Sequence, residues 1–79
     1  MKNEQQLIEV YVFRKSDGKS VLGANVVLGG NRGSKKTDRD GKAVFMLPSN
    51  VSTIDIYVNG TTQYSGYISN LPQPFIVKI

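Results

Sequence analysis

Short clusters of glycine, asparagine, aspartate and proline interrupt this chain about every eight to twelve residues, a spacing typical of all-β sandwiches and barrels. The segments between these clusters are rich in β-branched and aromatic residues. No segment repeats apolar residues at helical spacing over three turns. We therefore predict an all-β fold. The predicted strands are 7–13, 24–28, 34–37, 42–46, 53–58, 61–68 and 75–79.

Alternation along these strands gives each of them one apolar face, as a two-layer sandwich requires. The side chains predicted to point into the core are Ile8, Val10, Val12, Ile54, Ile56, Val58, Tyr64, Phe75, Val77 and Ile79.

Two turns contain residue types that indicate their geometry. Asn59-Gly60 predicts a two-residue β-hairpin, because both central residues of a type I′ turn need positive φ. The segment 38–41, Asp-Arg-Asp-Gly, also predicts a hairpin turn, since aspartate side chains bond nearby N–H groups and glycine supplies positive φ. A calcium loop would need a longer series of oxygen ligands and a distal glutamate, so we predict no metal site here.

Composition limits the chemistry that the chain can perform. The 79 residues predict a single domain, 1–79, with residues 1–6 as a flexible N-terminal tail. The chain contains neither cysteine nor histidine, which excludes disulfides, thiolate metal sites and the commonest general base. No helix is predicted after the glycine-rich stretch 29–33, so this stretch does not fit a phosphate-binding loop. We predict a non-enzymatic domain without a cofactor.

The stretch from Lys19 to Pro48, with Gly18 before it, resembles the carboxypeptidase regulatory-like domains, whose pattern is roughly G-x-P-L-x-G-A-x-V-x-L followed by T-D-x-x-G-x-F-x-L. Residues 22–28 (LGANVVL) match the first half, and 37–41 (TDRDG) with Val44, Phe45 and Leu47 match the second. Bacterial Cna-B domains share much of this pattern. The resemblance implies a seven-stranded Greek-key β-sandwich of the transthyretin (prealbumin) type. It also implies a non-catalytic spacer, folding aid or binding module of a larger surface or secreted assembly.

Departures from the Cna-B pattern affect one further expectation. Many Cna-B domains contain a Lys–Asn isopeptide bond, and Lys15 lies near the position of the lysine. The final strand, 75–79, has no Asn or Asp, and the glutamate motif of these domains is missing. We therefore expect no isopeptide bond.

Aromatic residues at outward strand positions provide the first candidate site. Alternation places Tyr11, Phe13, Tyr57 and Tyr67 on outer faces, where neighbouring strands would join them into one exposed patch. Such a patch would contact a protein or a glycan, unless loops or other domains cover it. An uncovered edge strand near a terminus would also allow self-association.

Basic residues near the two loops provide the second candidate site. The net charge is +4, and a basic loop patch is predicted from Arg32, Lys35, Lys36, Arg39 and Lys42. Specific nucleic-acid binding would also need aromatic residues that stack on nucleobases, placed among these basic residues. No aromatic residue lies between Val26 and Val44. A small basic β protein that binds nucleic acid is therefore the alternative, and an interaction module is the preferred interpretation.

The first ten residues, MKNEQQLIEV, have no apolar core of a signal peptide, and no apolar run has the length of a membrane span. We favour an extracytoplasmic location, as part of a longer chain. Composition alone does not decide the compartment.

Overall fold

The computed structural model describes residues 4–79, which form two β-sheets. The strands are β1 (Gln5–Phe13), β2 (Asn25–Leu28), β3 (Gly33–Lys36), β4 (Lys42–Pro48), β5 (Thr53–Val58), β6 (Thr61–Tyr67) and β7 (Phe75–Lys78). A 3-10 turn, Ile68–Asn70, follows β6. The predicted all-β class is confirmed, and the two-sheet arrangement is consistent with a β-sandwich.

The strands divide unequally between the sheets. One sheet has three strands in the order β4-β1-β7, and the other has four in the order β3-β2-β5-β6. The pairing of β1 with β7 is parallel, and all the other pairs are antiparallel. The turn at Asn59-Gly60 joins β5 to β6 as predicted, with φ of 50° and 83°.

The core lies between the sheets and uses alternate residues of each strand. Ile8, Val10 and Val12 of β1 have no exposed surface, and Ile54, Ile56 and Val58 of β5 are at most 4% exposed. The prediction for these strands is therefore confirmed. Ile79 was predicted to be inward but is 37% exposed, because it lies past the last residue of β7. Burial by alternation on β7 therefore stops at Val77.

The first strand is longer than the apolar pattern predicts. Gln5 and Gln6 pair with Pro48 and Leu47 of β4, so they belong to the sheet and not to a flexible tail. The side-chain amide of Gln6 also donates to the carbonyls of Pro48 at 3.0 Å and Val51 at 2.7 Å. Polar residues thus extend the strand through contacts with residues far along the chain. Residues 1–3 of the predicted tail lie outside the described residues.

The segment 38–41 is a turn, but it is not a hairpin turn, because β3 and β4 belong to different sheets. Asp38 Oδ1 accepts hydrogen bonds from the N–H groups of Asp40 at 2.9 Å and Lys42 at 3.0 Å. Gly41 has φ of +76°, and a Cβ there would lie 2.5 Å from the carbonyl oxygen of Val12. This turn therefore carries the chain from one layer to the other and presses it against β1.

Thr37 secures the same crossing from inside the protein. It is 3% exposed, its Oγ1 accepts from the Ala24 N–H at 2.9 Å, and the same hydroxyl donates to the Val21 carbonyl at 2.5 Å. The two halves of the motif that suggested a family resemblance are thus hydrogen-bonded to each other. Thr37 and Asp38 therefore have structural roles.

Candidate functional site

The four aromatic residues predicted to form one patch lie on opposite sides of the molecule. Tyr11 and Phe13 lie on the outer side of the three-stranded sheet, and Tyr57 and Tyr67 lie on the outer side of the four-stranded sheet. The expectation of a single patch is wrong, because β1 pairs with β4 and β7 and not with β5 or β6.

The outer side of the three-stranded sheet carries several apolar side chains. Register places Leu7 opposite Met46 and Tyr11 opposite Ile76, while Tyr11 and Phe13 stack with their ring centroids 6.4 Å apart. We call this surface the apolar face; its members are Leu7, Tyr11, Phe13, Val44, Met46 and Ile76. Leu7 is 46% exposed, Met46 57% and Ile76 47%, so the apolar surface is largely in contact with solvent.

The sequence prediction found only the two aromatic residues of this face. Leu7, Met46 and Ile76 also occupy outward positions of their strands, and their apolar character at those positions was the available signal. That these residues lie together could not be read from the sequence, because β1, β4 and β7 are far apart along the chain.

The charged residues of the apolar face neutralise each other. Lys42 Nζ lies 3.7 Å from a carboxylate oxygen of Glu9 and 5.8 Å from the centroid of the Tyr11 ring. Both charged side chains are about one third exposed. The face therefore carries a local ion pair and no excess of either charge at its centre.

One end of the apolar face opens into a basic groove. The groove has a volume of about 300 Å³ and is lined by Phe13, Arg14, Lys15, Gly18, Ile76 and Lys78. Arg14 is paired with Asp17 at 3.1 Å. Within residues 4–79, Lys15 and Lys78 have no ion-pair partner, so this end of the face retains positive charge.

The residues of the predicted basic loop patch are distributed over β3, β4 and the loops beside them. Lys42 lies on the apolar face, whereas Lys36 points outward from the four-stranded sheet, and Lys35 Nζ lies 5.7 Å from the ring centroid of Phe45. Arg32 precedes β3 and Arg39 follows it, so the length of this strand, about 13 Å, separates them. Lys36 and Lys42 thus lie on the outer sides of different sheets, and a basic patch that joins all five residues stays a prediction.

The outer side of the four-stranded sheet is more polar. Ser65 donates a 2.6 Å hydrogen bond to Asp55, which lies between Thr53 and Tyr57 on the same face. Tyr67 is 60% exposed and pairs with Thr53, so it lies about 13 Å along the sheet from Tyr57. These two tyrosines therefore present separate rings and no continuous apolar surface.

The glycine-rich loop 29–32 closes the hairpin between β2 and β3, and β3 follows directly, in agreement with the prediction that no phosphate-binding helix begins here. Two shallow depressions of about 380 and 180 Å³ flank Gly29 and Gly30. A Cβ at Gly29 would lie 3.0 Å from Cβ of Asp55 and 3.3 Å from the Tyr57 ring. Glycine therefore allows close packing at this position.

Among residues 4–79, no group of three potential metal-binding side chains is present. In the same range, no helix has the length and apolar character that a bilayer crossing requires.

Comparison of the chain with protein-family models, curated proteins and solved structures found no match. Membership of the carboxypeptidase regulatory-like or Cna-B-like families therefore stays a prediction. Any functional assignment depends on the surfaces described above.

Proposed function

We propose that this domain is a non-catalytic interaction module that docks onto another protein through the apolar face. The observation that carries the proposal is the exposure of Leu7, Met46 and Ile76 beside the stacked Tyr11 and Phe13. Small soluble domains rarely expose contiguous apolar surface of this kind unless it is used for contact.

The chemistry of the face favours a protein over a glycan as its partner. Sugars stack on exposed aromatic rings with hydrogen-bonding groups beside them. Here Tyr11 and Phe13 are only partly exposed, and the most exposed side chains are aliphatic or thioether. Covering Leu7, Met46 and Ile76 would contribute about 1 kcal/mol each, since each is about half exposed already.

The ion pair of Glu9 and Lys42 would orient the partner. Burying this pair without new hydrogen bonds would cost free energy, because both charges would lose water. A protein partner can supply backbone or side-chain groups to the remaining lone pairs and protons, which a purely apolar surface cannot. The pair therefore favours a partner docked in one orientation.

The same function agrees with a finer description of the fold. We infer that the seven strands form a Greek-key sandwich of the transthyretin type, as the resemblance to carboxypeptidase regulatory-like and Cna-B-like domains implies. Support comes from the two-sheet arrangement and from Thr37 and Gly41, which hold the crossing between the sheets. Such domains accompany larger proteins, and a non-catalytic role also agrees with the lack of cysteine and histidine.

Nucleic-acid binding is the alternative function that the sequence suggests. The described residues show no surface with the features that nucleic-acid binding needs. Lys36 and Lys42 lie on the outer sides of different sheets, and Lys42 Nζ lies 3.7 Å from the carboxylate of Glu9. A nucleic acid would need a continuous positive track with stacking rings.

Photo-crosslinking in the native source of the protein tests the proposal. A benzoylphenylalanine residue would replace Met46 in one variant and Tyr67 in another, two side chains that are 57% and 60% exposed on opposite faces. We expect a discrete protein adduct from position 46 that excess unmodified domain suppresses, and none from position 67. Equal adducts from both positions, or none from position 46, would contradict the proposal.

A further inference from the structure

The strand β7 leaves one side of its backbone unpaired. Within the described residues β7 pairs with β1 alone and forms the edge of its sheet. The Ile79 N–H donates to the Phe13 carbonyl at 2.9 Å, and the Lys15 N–H donates to the Ile79 carbonyl at 2.7 Å. Because backbone direction alternates along a strand, Phe75 and Val77 also face β1, and the N–H and C=O groups of Ile76 and Lys78 point away from the sheet.

Some of the other outward backbone groups of this sheet are covered, although no hydrogen bond within residues 4–79 covers those of Val44 and Met46 on β4. The Glu9 N–H donates to Gln73 Oε1 at 3.3 Å, and Gln73 Nε2 donates to the Leu7 carbonyl at 3.0 Å. The glutamine amide thus takes the place of a strand residue beside β1. At the opposite edge, Asp38 bonds both backbone groups of Lys42. No such side-chain bond covers Ile76 or Lys78 among residues 4–79.

The unpaired edge lies beside the basic groove. Ile76 and Phe13 form its apolar part, and Lys15 and Lys78 supply charge without an ion-pair partner within residues 4–79. A strand added to β7 would place alternate side chains on the outer side of the sheet, directly beside Ile76 and Lys78 and about 10 Å from the β1 backbone that carries Phe13. An apolar side chain followed by a carboxylate at that spacing matches the groove.

We propose that the exposed edge of β7 binds an extended, acidic and apolar segment of a partner protein as an additional β-strand. Backbone bonds form with Ile76 and Lys78, an apolar side chain packs on Ile76, and a carboxylate pairs with Lys78. The inference rests on the proposed function, because it adds a second contact to a protein docked on the apolar face.

Charge decides between this partner and a second copy of the chain. A second β7 would bring its own Arg14, Lys15 and Lys78 to the interface, and each copy has a net charge of +4. Like charges at close range oppose that pairing, whereas an acidic segment is attracted. The charge of the β7 edge therefore favours an acidic segment of another protein over a second copy of this chain.

A peptide titration monitored by amide chemical shifts tests the inference. The probe is a capped six-residue peptide, TVTETV, whose second, fourth and sixth residues place valine, glutamate and valine on one face of the strand, added at up to millimolar concentration. We expect shifts confined to β7 and the adjoining end of β1, and an affinity that falls as salt rises. The same peptide with lysine for glutamate, or with N-methyl groups on its bonding edge, should not bind.

Two variants separate backbone pairing from charge. Ile76→Pro removes an N–H that points away from β1, so the sheet keeps its ladder and peptide binding should be lost. Lys78→Glu keeps the backbone and should weaken binding about tenfold. Absence of binding by the acidic peptide, equal binding of the lysine peptide, or full binding by Lys78→Glu would overturn the inference.

The two proposals fail in different ways. If the peptide does not bind while the crosslink at position 46 persists, the β7 inference is wrong and docking on the apolar face stands. If the crosslink is absent, the proposed function fails, whatever the peptide does. A concentration-dependent dimer that Lys78→Glu strengthens would identify the second copy as the occupant and would also overturn the inference.

Discussion

Leu7 and Met46 lie opposite each other across the β1–β4 ladder, and about half of each side chain is exposed. Their neighbours in sequence, Ile8 and Leu47, are 0% and 3% exposed and belong to the core. The two strands thus present an apolar surface on both sides, which is unusual for an antiparallel pair with one solvated side. This pair forms one end of the apolar face.

Replacing Thr37 with valine should destabilise the domain by about 1–3 kcal/mol, since the Ala24 N–H and the Val21 carbonyl would lose their buried partner. Thr37→Ser keeps the hydroxyl and should recover most of the loss. Urea denaturation of the three proteins measures both effects. Equal stability of the valine variant and the wild type would show that these bonds contribute little.

Gly41→Ala should be more damaging than Gly60→Ala, although both glycines have positive φ, of 76° and 83°. Alanine at position 60 meets no atom within 4 Å, so we expect only the cost of the conformation, about 1–2 kcal/mol. At position 41 the added Cβ would lie 2.5 Å from the Val12 carbonyl oxygen, and backbone must move. Thermal melting should rank the wild type first and Gly41→Ala last. The reverse order of the two variants would contradict the close approach.

Asp17 should titrate below its ordinary pKa of 3.8. The Lys19 N–H, bonded to its carboxylate at 3.0 Å, is the main cause of the lowered pKa, and Arg14 adds to it. A carboxyl whose pKa is lower in the folded state stabilises the fold above its unfolded pKa, and this contribution is lost as pH falls through the folded pKa. A carbonyl-carbon NMR titration measures the midpoint directly. Asp17→Asn should reduce the loss of stability below pH 3.8, and an unchanged acid limb would contradict this role.

Gln73→Ala should expose the Glu9 amide, because its acceptor is the glutamine side chain. We expect faster hydrogen exchange at Glu9 and no change at Val10, whose side of β1 faces β4. The global loss should stay at about 1 kcal/mol or less, since this bond lies at the surface. Unchanged exchange at Glu9 would show that the side chain does not replace a strand there.

Local features of this fold could be predicted from sequence because each depends on neighbouring residues. Alternation identified the buried faces of β1 and β5, and Asn59-Gly60 identified the hairpin through its positive φ values. The aspartates of 38–41 likewise indicated a turn, since their bonds are to their own segment.

Relations between strands could not be predicted in the same way. The turn at 38–41 has hairpin chemistry but leads from one sheet to the other, and nothing local distinguishes the two cases. Tyr11 and Tyr57 have the same outward pattern, yet their strands lie in different sheets. Met46 and Ile76 lie on the same face because their strands, β4 and β7, pair with opposite sides of β1. Such long-range pairings depend on the packing of the whole chain.

Hydroxyl-radical footprinting of Met46 and Tyr67 tests the docking proposal most directly. In the isolated domain both side chains are exposed, at 57% and 60%, and both should be oxidised. In the native source, before purification, we predict that Met46 is protected while Tyr67 is oxidised as in the isolated domain. Equal oxidation of Met46 in both settings, or protection of Tyr67 alone, would contradict docking through the apolar face.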